Sequence, residues 1–160
     1  MTAERQFEQP PEGALDEKGH GLTQDDMTMA ALAHASILLG LITNGLGGIA
    51  VAVAIWLYER ERSAWVSFQA LQALVFQLGL LAVTLLVGGV VGVTWAVVGV
   101  LAALIVGLCL IPPALALTLL LAVIPLGGLV YGLYAAYETY NGREFRYWLV
   151  ADFLEKGRIK

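Results

Sequence analysis

Apolar positions dominate two long stretches of this chain, Met27 to Tyr58 and Ser63 to Tyr137, and neither contains a Lys, Arg, Asp or Glu. The second is several times the roughly 20 residues that a membrane helix needs. Helices and strands of water-soluble domains carry a wet face, and these stretches offer none. The pattern predicts an all-α, polytopic transmembrane helical bundle of four to five hydrophobic helices.

Thr23-Gln24-Asp25-Asp26 has the spacing of a capping box, with Asp in place of Glu. It predicts a first helix from Gln24 to Ile42. Thr43-Asn44-Gly45-Leu46-Gly47-Gly48 then interrupts the apolar run with turn-forming residues. A second helix, Leu46 to Tyr58, ends at the charged cluster Glu59-Arg60-Glu61-Arg62. A single kinked helix competes with a tight hairpin of short helices, and Asn-Gly followed by Gly-Gly favours the hairpin.

Trp56, Tyr58 and Trp65 bracket the charged cluster as interfacial aromatics do. A third helix is predicted from Ser63 to Val87, loosened at Gly88-Gly89-Val90-Val91-Gly92, with Thr94-Trp95 at the opposite interface. A fourth apolar segment, Ala96 to Ile111, meets Pro112-Pro113, which is expected to break it. Nothing polar flanks that break, so the segment reads as partial or re-entrant, packed between its neighbours. The last long helix is expected over Ala114–Tyr140, with a kink at Pro125, tyrosines at 131, 134, 137 and 140 as interface anchors, and Asn141-Gly142 as its cap. A short amphipathic helix, Arg146 to Lys156, is expected to lie in the interface.

Three stretches follow: an acidic arm over 1–23, a transmembrane domain over 24–140 and an interfacial segment over 141–160. The arm is expected to be disordered, having few apolar residues. It also lacks the basic start of a secretory signal. The net charge of −4 over 160 residues originates there, since seven acids precede Met27 against Arg5 and Lys18. No clustered basic face suggests nucleic acid. Basic residues at 60, 62 and in the C-terminal tail place both termini on the cytoplasmic side of a bacterial inner membrane by the positive-inside rule.

The polar residues inside the apolar runs are the candidate chemistry. Gln69, Gln72, Gln77 and Thr84 fall on one side of a helical wheel. Such a stripe must face protein or water, either as a hydrophilic path or as interhelical hydrogen-bond glue, and glue is favoured. His34 has no membrane carboxylate with which to relay a proton, so a structural contact with a glutamine is expected. Gly88-x-x-x-Gly92 and Gly128-x-x-x-Gly132 permit close helix approach, internally or between copies. The lone Cys109 reads as buried in lipid or in packing. No familiar catalytic, phosphate-binding or metal-ligating motif is present, so neither enzyme activity nor a cofactor is expected.

Three segments together form a recognisable order: Met29-Ala-Ala-Leu-Ala-His-Ala-Ser36, Val66-Ser-Phe-Gln-Ala-Leu-Gln-Ala73 and Tyr140-Asn-Gly-Arg-Glu-Phe-Arg-Tyr147. This order resembles a bacterial family of uncharacterised small membrane proteins. That family is distantly similar to the four-helix membrane subunit of the chloroplast inner-envelope import translocon (Tic). Gln69 stands where that signature usually has histidine, and the apolar stretch Val93–Pro113 is additional. The resemblance implies four helices with both termini on one side. From the residues themselves the expected role is a small structural or accessory subunit, with membrane lipids, other membrane subunits or further copies as partners. A channel or translocation component lined by the glutamine stripe is the alternative.

Overall fold

The computed structural model describes residues 21–104, 106–148, 150, 151 and 154. Among these the regular elements are all helical: α1 (Gln24–Ala35), α2 (Ile37–Ile42), α3 (Leu46–Glu59), α4 (Ala64–Ala102), a 3-10 turn (Val106–Leu110) and α5 (Ile111–Tyr140). Three helical stretches, Gln24–Ile42, Ala64–Ala102 and Val106–Tyr140, are long and apolar enough to cross a membrane. Of the expected arm over 1–23, residues 1–20 lie outside the described residues.

The capping box forms as the sequence predicts. Asp26 N–H donates to Thr23 Oγ1 at 3.1 Å, and Thr23 N–H donates to Asp26 Oδ2 at 3.0 Å. Two orphan donors at the start of α1 are thereby satisfied. Ser36 separates α1 from α2. Its hydroxyl lies 2.7 Å from the Ala33 carbonyl and 3.0 Å from the Gly48 carbonyl. A serine bonded back to its own helix bends it, and here the same hydroxyl ties α1 to α3.

The hairpin between α2 and α3 turns on Asn44 at φ +52° and Gly45 at φ +92°. Gly45 N–H closes the turn onto the Gly40 carbonyl at 2.7 Å. That left-handed pair makes the competing kinked-helix geometry impossible. Ser63 then caps α4, its Oγ accepting Val66 N–H at 3.3 Å.

From there the chain departs from expectation. α4 runs unbroken through Gly88, Gly89 and Gly92 to Ala102, a helix of 39 residues. A glycine costs a helix only about 1 kcal/mol, whereas freeing backbone N–H and C=O groups in hydrocarbon costs several. The expected break at Val87 therefore does not occur. Nor does Ala96–Ile111 form a separate re-entrant segment. Its first part completes α4, and Val106–Leu110 is the turn that reverses the chain. Gly107 is buried in that turn, where a Cβ would collide with the backbone of Leu101 and Ala102.

Pro112 and Pro113 begin α5 rather than ending its predecessor. In a first turn the missing N–H is one that has no helical partner anyway. Pro125 lies inside α5, which nonetheless continues to Tyr140. Gly142, at φ +72°, then folds the chain back toward the bundle. The expected interfacial helix does not start at Arg146. Arg143–Tyr147 is non-helical, and the next helical turn closes from Ala151 N–H to the Tyr147 carbonyl at 2.8 Å. The remainder of that expected helix falls largely outside the described residues.

The α1–α3 unit packs only on the charged half of the α4–α5 pair. Gly45, at its far end, reaches the level of Leu81. Beyond that level α4 and α5 continue as two helices, tied where Trp95 Nε1–H donates to Thr118 Oγ1 at 2.9 Å. This extension is apolar and exposed at Leu86, Val93, Val100, Leu104 and Val106. Cys109 sits exposed on its tip, so it is not a packing cysteine.

Candidate functional site

Small residues bring the charged half of the bundle close together. Ala33, Ala70 and Ala73 form one buried cluster, and Ala135 with Phe145 and Tyr147 forms another. Between them lie the polar side chains His34, Gln69 and Gln72, all essentially inaccessible. A polar group in that setting requires a partner.

His34 has one on each ring nitrogen. Nε2 lies 3.2 Å from Gln69 Oε1 and Nδ1 lies 3.2 Å from the Tyr147 hydroxyl. An amide oxygen only accepts, so Nε2 carries the proton toward Gln69. In the neutral ring Nδ1 then accepts the Tyr147 O–H. Burial pushes the Tyr147 phenol above its usual range, which keeps that proton in place.

Gln72 holds the returning C-terminal strap. Its Nε2 donates to the Phe145 carbonyl at 3.1 Å and its Oε1 accepts Tyr147 N–H at 3.2 Å. The side chain thus supplies both halves of the pairing that a neighbouring strand would give. Aromatic rings seal the strap from the other side. Phe76 stacks on Tyr147 at 4.2 Å, and Tyr131 meets both rings edge-on. Tyr131 therefore packs against the strap, Tyr134 also meets Phe145 edge-on, and Tyr137 and Tyr140 are exposed without a ring contact to it.

Gln77 lies one level further from the charged end. Its Nε2 donates to Ser36 Oγ at 3.0 Å and approaches the Ala33 carbonyl at 3.5 Å. Thr84 is not part of this core. It is half-buried and lines a cavity with Asn44 and Pro125 that the core reaches only at Gln77. The candidate packing glycines also divide. A Cβ on Gly128 would press on Leu80 and one on Gly132 on Ile37, whereas Gly88 only grazes Leu121 and Gly92 faces open space.

Phe145, Tyr147 and Ser36 are core members that a helical, interfacial reading of the tail and the apolar pattern of the first helix do not place there. Phe145 and Tyr147 are two apart, the spacing of an extended segment that presents both to one face. That spacing just after a Gly142 turn is the available signal. Every contact in the core is between neutral groups. Among the described residues no group of three or more His, Cys, Asp or Glu side chains is placed to hold a metal.

Three long apolar helices around a buried polar core, in which among the described residues Gln69 Nε2 alone lacks a partner, define an integral membrane protein. The chain belongs to the magnetosome magnetite crystal formation protein family, MamF/MmsF, whose sequence model matches residues 25–154. The matched region runs from the first turn of α1 past the strap. It agrees with the bacterial small-membrane-protein resemblance read from the motifs. Neither the curated proteins nor the solved structures gave a match, so the likeness to the Tic subunit gains no support.

Proposed function

We propose that the protein is a non-enzymatic structural or accessory subunit of a membrane complex. In this reading it serves the process named in its family's description, magnetite crystal formation, by assembling with membrane proteins or with further copies of itself. The basic residues Arg60, Arg62, Arg143 and Arg146 share the end of the bundle where α1 begins and α5 ends, which favours both termini in the cytoplasm.

One observation carries the reading. At about 1.5 Å per residue, α4 with its 39 residues is about 58 Å long and α5 with 30 about 45 Å. A hydrocarbon core is about 30 Å thick, and about 40–45 Å with its interfaces. The α4–α5 hairpin exceeds that, yet its tip carries no charged residue and its large apolar side chains are exposed. Tilt takes up part of the excess. A partner covering the tip accounts for the rest.

A conducting path along the glutamines has less support. Gln69, Gln72 and Gln77 are 0%, 0% and 6% exposed, and each is hydrogen-bonded within the protein. They act as glue in the present reading.

The test is extraction of a C-terminally tagged chain from native membranes in mild detergent, followed by mass and composition of the complex. A stoichiometric partner or a defined oligomer is expected, and replacing Val100 and Leu104 with serine should release it while the monomer stays folded. A wild-type chain that emerges only as a monomer would refute the subunit role.

A further inference from the structure

Where the α1–α3 unit ends against the α4–α5 pair, the bundle holds a cavity of about 500 Å³. Leu41 of α2, Leu81 of α4 and Leu129 of α5 contribute apolar wall. That volume falls within the range of small-molecule sites, which are mostly apolar with a few placed polar groups. Here the polar groups are Gln77, Asn44 and Thr84.

Their hydrogen-bonding state narrows the ligand. Gln77 has committed its amide N–H groups to Ser36 and Ala33. Thr84 differs from the other helical threonines. Thr28, Thr94, Thr118 and Thr139 each donate to the backbone carbonyl four residues earlier, at 2.8–2.9 Å. Among the described residues the Thr84 hydroxyl makes no such bond, and neither does the exposed Asn44 carboxamide on its left-handed turn. Uncommitted O–H and N–H donors beside an apolar hole suit a ligand with a long hydrocarbon body and an accepting oxygen.

Depth points to the same ligand. Thr84 lies 20 residues beyond Ala64 at the start of α4, which is about 30 Å of helix. That is about one hydrocarbon thickness from the charged end, the level at which acyl esters of the opposite leaflet begin. The cavity is also lined by Leu85, which is exposed on the flank of α4, so a lipid has a lateral way in.

We propose that this cavity seats one glycerolipid, with an acyl chain filling the apolar space and an ester carbonyl accepting from Thr84 and Asn44. The site requires only that the chain spans a bilayer, so it stands apart from the subunit role. Native mass spectrometry of the detergent-purified full chain, offered a diester phosphatidylglycerol together with its diether analogue, tests it. The wild type should retain one lipid and favour the diester about fivefold, the value of one hydrogen bond. Thr84→Val keeps the volume and removes the donor, so the preference should fall toward equality. Thr84→Phe sets a ring across the polar end of the cavity in place of the hydroxyl and should weaken retention of both lipids, with circular dichroism unchanged. If Thr84→Phe fails to fold, the preference ratio in Thr84→Val decides. A wild type that carries no lipid, shows no diester preference, or loses nothing in folded Thr84→Phe overturns the proposal.

Discussion

Gln72 and Tyr147 stand 75 positions apart in the chain, and the Gln72 carboxamide oxygen accepts the Tyr147 backbone N–H at 3.2 Å. With its nitrogen on the Phe145 carbonyl, this one side chain fixes the register of the strap. Gln72→Leu would leave both backbone groups buried and unpaired, at about 1–3 kcal/mol each. The expected outcome is a large loss of stability in detergent denaturation, with faster tryptic cleavage at Arg143 and Arg146. Unchanged flux in reconstituted vesicles, once stability is allowed for, would support glue over path. Unchanged stability would remove Gln72 from the core.

The His34 relay predicts coupling across the bundle. Tyr147→Phe leaves Nδ1 of His34 without its donor, and His34→Ala leaves the Tyr147 hydroxyl without its acceptor. A double-mutant cycle on unfolding free energy should give a coupling of about 1 kcal/mol. Additive effects would mean that the two rings are merely neighbours.

Glycine substitutions should sort by what the new methyl group meets. At Gly48 it would meet Gln77 Oε1 and, at 2.7 Å, the Ser36 carbonyl oxygen. Backbone cannot swing aside, so Gly48→Ala should cost about 1–3 kcal/mol. At Gly128 it would lie 2.5 and 2.8 Å from the ends of Leu80, a side chain able to shift, and the loss should be smaller. At Gly92 nothing lies within 4 Å. Gly92→Ala should be neutral or add up to about 1 kcal/mol of helix propensity to the monomer. Thermal scans of the three variants check this order, and an equal loss at all three positions would contradict it.

Cys109 reports on the hairpin tip. It is exposed in the isolated chain. A membrane-impermeant maleimide should therefore modify detergent-purified monomer and leave the same residue unmodified in intact native membranes. Rapid modification in intact membranes would put the tip in water and leave it uncovered.

The sequence announces the fold class through its charge-free runs, and it announces local features wherever one residue type dictates the geometry. Thr23 with Asp26 gives the cap, Asn44-Gly45 the hairpin, and Gly142 the turn after α5. It misleads where rules learned in water are applied to lipid. Gly88 to Gly92 would weaken a soluble helix, but hydrocarbon offers their backbone no alternative partner, so α4 continues. Pro112-Pro113 is equally at home at a start or a stop, and only the completed turn tells which. Of the polar core, Gln69, Gln72 and Gln77 are legible because amides are costly in hydrocarbon. Phe145 and Tyr147 are not, since an aromatic residue near an interface satisfies a lipid-facing and an inward-facing reading equally well.

All the ionic groups of the described residues lie at one end of the bundle, and the α4–α5 tip is bare of them. A helix pair with charged residues at both ends is held to a fixed span, as a rivet is by its two heads. This hairpin resembles a nail, seated by its head alone. Its tip carries no charge to set its level, so thinning or thickening of the surrounding bilayer would change how much apolar surface the tip offers a partner without dislodging the charged end.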